Sequence, residues 1–119
     1  MRRNTAKRAE SLDIGENAMS RISQLSSPSP VLAVLRIPDR TALPQTLRKE
    51  LYLALDSVRD PGNLGTIIRI ADWFGVRTVF ASEDCVDLYN PKVVQASMGS
   101  VFRVKVLSAG LTDVCRRFR

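Results

Sequence analysis

The chain has 119 residues, of which 45% are hydrophobic and 25% charged, with a formal net charge of +6 and a pI near 10.0. That length fits one domain able to bury ~60–70% of its unfolded surface, and no apolar run approaches the ~18 residues of a membrane span, so the pattern is that of a soluble protein. With no histidine, and with Cys85 and Cys115 far apart and outside any CxxC spacing, the composition argues against a metal site.

Both cysteines read as free thiols in a reducing cytosol, so a cytoplasmic location is expected. Basic residues gather at Arg2, Arg3, Lys7 and Arg8 and again at Arg103, Lys105, Arg116, Arg117 and Arg119. They favour a polyanionic partner, although a solvated basic surface would carry the same charge. The N-terminal "MRRNTAKRAE" is followed by no apolar h-region, which argues against a secretory signal.

Residues 1–30 are polar and Ser-rich, with one helical pattern through Ile14, Ala18, Ile22 and Leu25. A short helix and a linker are expected there. "VLAVLRI", Val31 to Ile37, is a continuous apolar run ended by Pro38 and predicts a buried strand, and the Pro-containing segment after it predicts a connector. "LYLALD" predicts a strand, the Pro-Gly turn and the pattern after it a helix, and "RTVFAS" another strand. Strands alternating with helices predict an α/β fold with a parallel sheet and a right-handed crossover. "NPKVVQASMG" then predicts a short helix, and "VFRVKV" a strand in which Phe102, Val104 and Val106 alternate with Arg103 and Lys105. "SAGLTDVCRRFR" predicts the start of a last helix.

The most informative stretch is "DPGNLGTIIRIADWFG", Asp60 to Gly75. Pro and Gly at its second and third positions predict a type II turn, with Asn63 as N-cap accepting from the N–H of Gly65 or Thr66. It lacks both the GxGxxG fingerprint and the GxxxxGK[ST] loop, so a phosphate cradle has little support. On a helical wheel Leu64, Ile67, Ile68, Ala71 and Phe74 form one stripe, expected to pack on the sheet. Gly65, Thr66, Arg69, Asp72 and Trp73 fall opposite, a small-residue patch beside Arg and Trp that predicts a covered surface. Arg69 fits a solvated helix arginine, a stack on Trp73 one turn on, or a site residue; wheel geometry does not decide.

"Asn90-Pro91" is cap chemistry, and Gly99 is expected to stop that helix at C′. Ser97 lies just before it. Ligands of open α/β sheets bind beyond the carboxyl ends of the strands, here after Asp56, Ser82 and Val106.

"DPGNLGTIIRIADWFG" and "NPKVVQASMGSVFRV" resemble the first and second motifs of the SpoU (TrmH-like) family of RNA methyltransferases, in the right order and with similar spacing. The resemblance covers Leu51 to about Val106, and "ISQLSSPSPVLAVLRIP" is similar to the segment joining that family's N-terminal RNA-binding domain to its catalytic domain. It implies a parallel-sheet, Rossmann-like SPOUT core with a deep C-terminal trefoil knot, usually as a homodimer. It also implies S-adenosylmethionine (SAM)-dependent methylation of a ribose 2′-hydroxyl in ribosomal or transfer RNA.

By the same resemblance Asn63 and Arg69 serve substrate and catalysis, and Ser97, Met98 and Gly99 lie by the cofactor. The family is described with this Arg activating the hydroxyl. An arginine keeps its proton at neutral pH, so phosphate binding and alkoxide stabilisation stand beside that role. Residues 1–48 then correspond to a remnant of the RNA-binding domain and linker, and 49–119 to a partial methyltransferase domain. The family's third motif, which threads the knot, has no match after Val106. The expectation is therefore an incomplete cofactor pocket and a polypeptide that alone binds SAM poorly and transfers nothing. A non-enzymatic RNA-binding remnant is the alternative, and a nucleotide-binding module of another class a third reading.

Overall fold

The structure is a computed structural model that describes residues 10–38 and 42–118. The basic residues Arg2, Arg3, Lys7, Arg8 and Arg119 lie outside the described residues. Backbone packing divides the chain into Met1–Arg36 and Ile37–Arg119.

In the first unit, the Ile14–Leu25 pattern yields one short helix, α1 (Glu16–Ile22), which buries no residue. The strand expected over Val31–Ile37 does not form, and Val31, Val34 and Leu35 are exposed. A strand is stabilised by a ladder partner, and the described strands all pair with one another elsewhere in the chain. Hydrophobicity without a neighbour is not enough.

The second unit is built on three parallel strands in the order β1 (Leu53–Leu55), β2 (Thr78–Ala81) and β3 (Lys105–Ser108). Register pairs Leu53 with Val79 and Leu55 with Ala81 on one side, and Val79 with Val106 and Phe80 with Leu107 on the other. The period-2 alternation sorts side chains to two cores. Val79, Ala81 and Val106 pack with Leu64, Ile68, Ala71, Val93 and Val104 on one face. Phe80 and Leu107 pack with Ala109 and Val114 on the other, where the rings of Tyr52 and Phe118 lie 5.9 and 6.2 Å from that of Phe80.

The helices follow from the same pattern: α2 (Pro61–Trp73), α3 (Pro91–Ala96) and α4 (Leu111–Arg117). The predicted α/β architecture with helix-connected parallel strands is present. α2 ends in a Schellman turn: Gly75, at φ 73°, donates to Asp72 O, and Val76 to Ala71 O. Val76 and Ala71 then meet in the core.

Three local expectations are corrected. Asp60, not Asn63, caps α2: its carboxylate accepts from the Asn63 N–H at 2.7 Å. Pro61 occupies N1, so the helix starts directly after the Asp and the expected turn is absorbed into its first turn. Phe74, assigned to the sheet-facing stripe, is the C-cap and is exposed, because the chain has left the helical path. The "VFRVKV" alternation gives not one strand but a 3₁₀ turn over Ser100–Phe102 followed by β3. The turn's period of three places Val101 and Val104 in the core and leaves Phe102 exposed.

Candidate active site

Asn90 caps α3 as the sequence predicts, accepting from the Lys92 N–H at 3.0 Å with Pro91 at N1. The helix ends at Ser97, one residue earlier than expected, so the left-handed turn begins at Met98 (φ 50°) and continues through Gly99 (φ 84°). Ser97 is buried and its hydroxyl donates to Val94 O at 2.8 Å. Met98 projects to solvent at 70% exposure, and the space over Gly99 is open, with the nearest atom to a hypothetical Cβ 3.8 Å away.

α2 brings this turn against the first motif. A Cβ on Gly65 would lie 2.6 Å from the Ala96 Cβ and 2.9 Å from the Ser97 nitrogen, so only glycine admits α3 this closely. The face expected to be covered is therefore split. α3 covers Gly65, and the segment after the Met98–Gly99 turn binds Asp72, while Thr66, Arg69 and Trp73 stay exposed.

Asn63 and Arg69 both lie on the solvent stripe of α2, on either side of Gly65 in sequence and about 9 Å apart along the axis. Neither side chain has a hydrogen-bonding or ionic partner among the described residues. Arg69 makes no ring contact with Trp73 there either; the described cation–ring contact is Arg117 over Phe118 at 5.6 Å. Among the described residues the structure thus joins Ser97 to the motif helix and leaves Asn63 and Arg69 exposed without a partner.

Sequence reasoning missed a polar clamp at the carboxyl ends of β1 and β2. Asp84 accepts from the Ser57 hydroxyl at 2.5 Å and the Ser82 hydroxyl at 2.7 Å, while Ser82 Oγ accepts from the Ser57 N–H at 2.8 Å. Ser57 sits at φ 53°, in the left-handed region, and the clamp holds it there. The Ser57 and Ser82 hydroxyls, with the Arg59 guanidinium 3.8 Å away, hold the Asp84 carboxyl below its ordinary range. Only its place at the ligand edge, after Asp56 and Ser82, could have drawn notice.

Beyond the ends of β2 and β3 lies a cavity of about 450 Å³ lined by Ala81, Ser82, Cys85, Tyr89, Val106 and Ser108, among others. The Tyr89 hydroxyl is buried without a partner among the described residues. None of Asn63, Arg69, Ser97, Met98 or Gly99 lines this cavity. Among the described residues no group of three His, Cys, Asp or Glu could hold a metal, and no helix is long and apolar enough to cross a membrane.

A parallel sheet with helices on both faces, a capped motif helix and a second motif packed against it define an α/β domain of the Rossmann-like class. The chain belongs to the SpoU rRNA Methylase family, whose model matches residues 50–118.

It is 39% identical over 92 residues to "rRNA methyltransferase 3, mitochondrial" of Xenopus tropicalis, covering 73% of this chain and 22% of that protein. It is 35% identical over 98 residues to "23S rRNA (guanosine(2553)-2'-O)-methyltransferase RlmP" of Bacillus subtilis, covering 82% of this chain and 38% of that one. The AdoMet-bound rRNA methyltransferase of Sinorhizobium meliloti superposes with a TM-score of 0.56 at 42% identity, over 61% of this chain and 28% of that one. The chain thus spans roughly a fifth to two fifths of the length of the curated relatives it matches.

Proposed function

We propose that this chain supplies the first two motifs of a SAM-dependent RNA methyltransferase that modifies a ribose 2′-hydroxyl of ribosomal RNA. The observation that carries the reading is the exposed Asn63 and Arg69 of α2, without partners among the described residues, on the helix that also packs the Ser97–Gly99 turn. Relatives named as rRNA methyltransferases, one a 2′-O-methyltransferase, support it.

The turn fits the cofactor. Its left-handed backbone opens space over Gly99, and the Gly99 N–H has no acceptor among the described residues, so a flat nucleoside edge has a main-chain donor to meet. Ser97, Met98 and Gly99 would hold SAM, which when bound supplies an electrophilic methyl group on a sulfonium. Arg69 would bind a backbone phosphate and stabilise the charge that develops on the 2′-oxygen as its proton passes to solvent water, and Asn63 would orient the ribose. Orientation of this kind contributes several kcal/mol to such transfers, on the order of 7 or more in the best aligned cases.

In this reading residues 1–48 belong to RNA binding and linkage and residues 49–119 to the methyltransferase domain, in a cytosolic homodimer. The dimer reading is supported by the exposed apolar side chains Ile70, Trp73 and Phe74 on the last turns of α2, a surface of the kind that marks an interface. Sedimentation of the wild type and of Trp73→Glu tests it: a dimer that the substitution dissociates supports this surface, and a monomeric wild type contradicts it. Arg69→Ala tests the activity in a full-length context. Loss of methyl transfer with RNA binding largely kept supports the enzyme, whereas unchanged transfer removes Arg69 from the site. Transfer by neither protein, with RNA still bound, favours the non-enzymatic RNA-binding reading.

A further inference from the structure

Asp72 stands where a helix disfavours it. It occupies the last turn of α2, where the macrodipole is negative and which carries no basic residue. Its partner comes from 31 residues away: Arg103 donates to Asp72 Oδ2 through Nε at 2.8 Å, and its Nη2 makes an ion-pair contact with the same oxygen at 2.6 Å. The Ser100 hydroxyl donates to the same oxygen at 2.8 Å, and Arg103 reaches back to Ser100 Oγ at 3.2 Å. The guanidinium and that hydroxyl hold the Asp72 carboxyl below its ordinary range.

The placement of this cluster is what gives it meaning. Gly65 and Asp72 are seven residues apart, nearly two turns along one face of α2, or about 10 Å. At Gly65 the helix meets Ala96 and Ser97, the residues entering the left-handed turn. At Asp72 it binds Ser100 and Arg103, the residues just after it. Met98 and Gly99, both at positive φ, hang between two anchors on a single helix. The first anchor is steric and has no freedom. The second is polar and joins the exit of the turn to α2 through side chains.

We propose that Asp72, acting through Arg103 and Ser100, is a positioning residue that sets the Ser97–Gly99 turn against the helix carrying Asn63 and Arg69, and so sets the affinity for SAM. This rests on the reading of that turn as cofactor-binding. A charge-assisted hydrogen bond reinforced by the Ser100 hydroxyl on the same carboxylate oxygen has a defined direction as well as strength, which suits it to fixing a turn.

The test compares the wild-type chain with Asp72→Ala, Arg103→Ala and the exchanged pair Asp72→Arg with Arg103→Asp, in two measurements. The first is amide hydrogen exchange, which needs no activity. The Ser100 and Val104 amides, bonded to Ser97 O and Ser100 O, are expected to exchange about tenfold faster in either single variant, while Val79 and Leu107 in the sheet keep their rates. The second is methyl transfer in a full-length methyltransferase carrying this segment, where the single variants are expected to raise KM for SAM about tenfold with kcat held. The exchanged pair is expected to recover part of both.

Unchanged exchange at Ser100 and Val104 overturns the proposal, as does faster exchange with an unmoved KM. A uniform rise in exchange, including Val79 and Leu107, also overturns it, because that reports global destabilisation. If the wild type transfers no methyl group, the activity reading fails on its own, and the exchange arm still decides whether Asp72 holds the turn.

Discussion

Alanine at Gly65 perturbs the contact on which the site's assembly depends. The added Cβ would stand 2.6 Å from the Ala96 Cβ, 2.7 Å from the Val93 carbonyl oxygen and 2.9 Å from the Ser97 nitrogen. Two of these neighbours are main chain, so no change of rotamer relieves them. Restoring an ordinary contact of about 3.4 Å to Ala96 requires α3 to retreat by about 0.8 Å. Overpacking of a rigid site costs about 1–3 kcal/mol, while alanine's helix propensity returns about 1 kcal/mol relative to glycine.

With three contacts and a backbone obstacle the steric cost lies at its upper end. The net loss is then about 2 kcal/mol, which for a chain of this size lowers Tm by roughly 8 °C. Urea unfolding at constant m-value measures the first quantity and a thermal melt the second. The same displacement carries Ser97, so SAM affinity is expected to fall with stability. A Gly65→Ala protein as stable as the wild type, or more stable, would refute the reasoning, because propensity alone would then have prevailed.

Asp60→Ala is expected to cost about 1 kcal/mol through loss of the α2 N-cap, while Asn63→Ala leaves unfolding nearly unchanged; equal losses at both would return the cap to Asn63. Asp72 and Asp84 have carboxyl groups held below the ordinary 3.8. A depressed folded pKa contributes stability that is present above the unfolded value and is lost as pH falls through the folded one. Thermal stability should therefore hold from neutral pH to about pH 4 and fall below it. Asp84→Asn should flatten that acid limb while lowering stability at pH 7, and an acid limb unchanged by the substitution would count against the clamp. RNA binding should weaken steeply with salt if lysine and arginine contact phosphates, and a flat log–log slope would remove the electrostatic part of the reading.

What could be read from the sequence is what depends on neighbours within a few residues. The Asn90-Pro91 cap, the apolar face of α2 through Leu64, Ile68 and Ala71, and the β2 run of Val79 to Ala81 are all local patterns, and each is present. Ambiguity began where two local chemistries compete. Asp60 and Asn63 can both cap a helix, and Pro61 decides between them by fitting N1. Val31–Ile37 carries the composition of a strand, yet pairing is a property of the partner rather than of the run.

The site shows the same division more sharply. The exposure of Arg69 on the solvent face of α2 is visible in the period of that helix, whereas Asn63, which the sequence offers as the cap, lies in its first turn. Gly65 against Ser97, Asp72 with Arg103 and Ser57 with Asp84 join residues 27 or more apart, and nothing in the intervening sequence announces them. The Gly65 signal was a small residue where a solvated helix would place charge, which indicated a cover without naming it.

The most direct measurement is transfer of radiolabelled methyl from SAM to ribosomal RNA by a full-length methyltransferase carrying this segment, followed by alkaline hydrolysis of the RNA. A methylated 2′-oxygen cannot attack the neighbouring phosphate, so label on ribose survives in alkali-resistant dinucleotides. The expected result is resistant label with the wild type and its loss with Arg69→Ala. Label released in mononucleotides, or equal resistant label with Arg69→Ala, would contradict the proposed chemistry of this site.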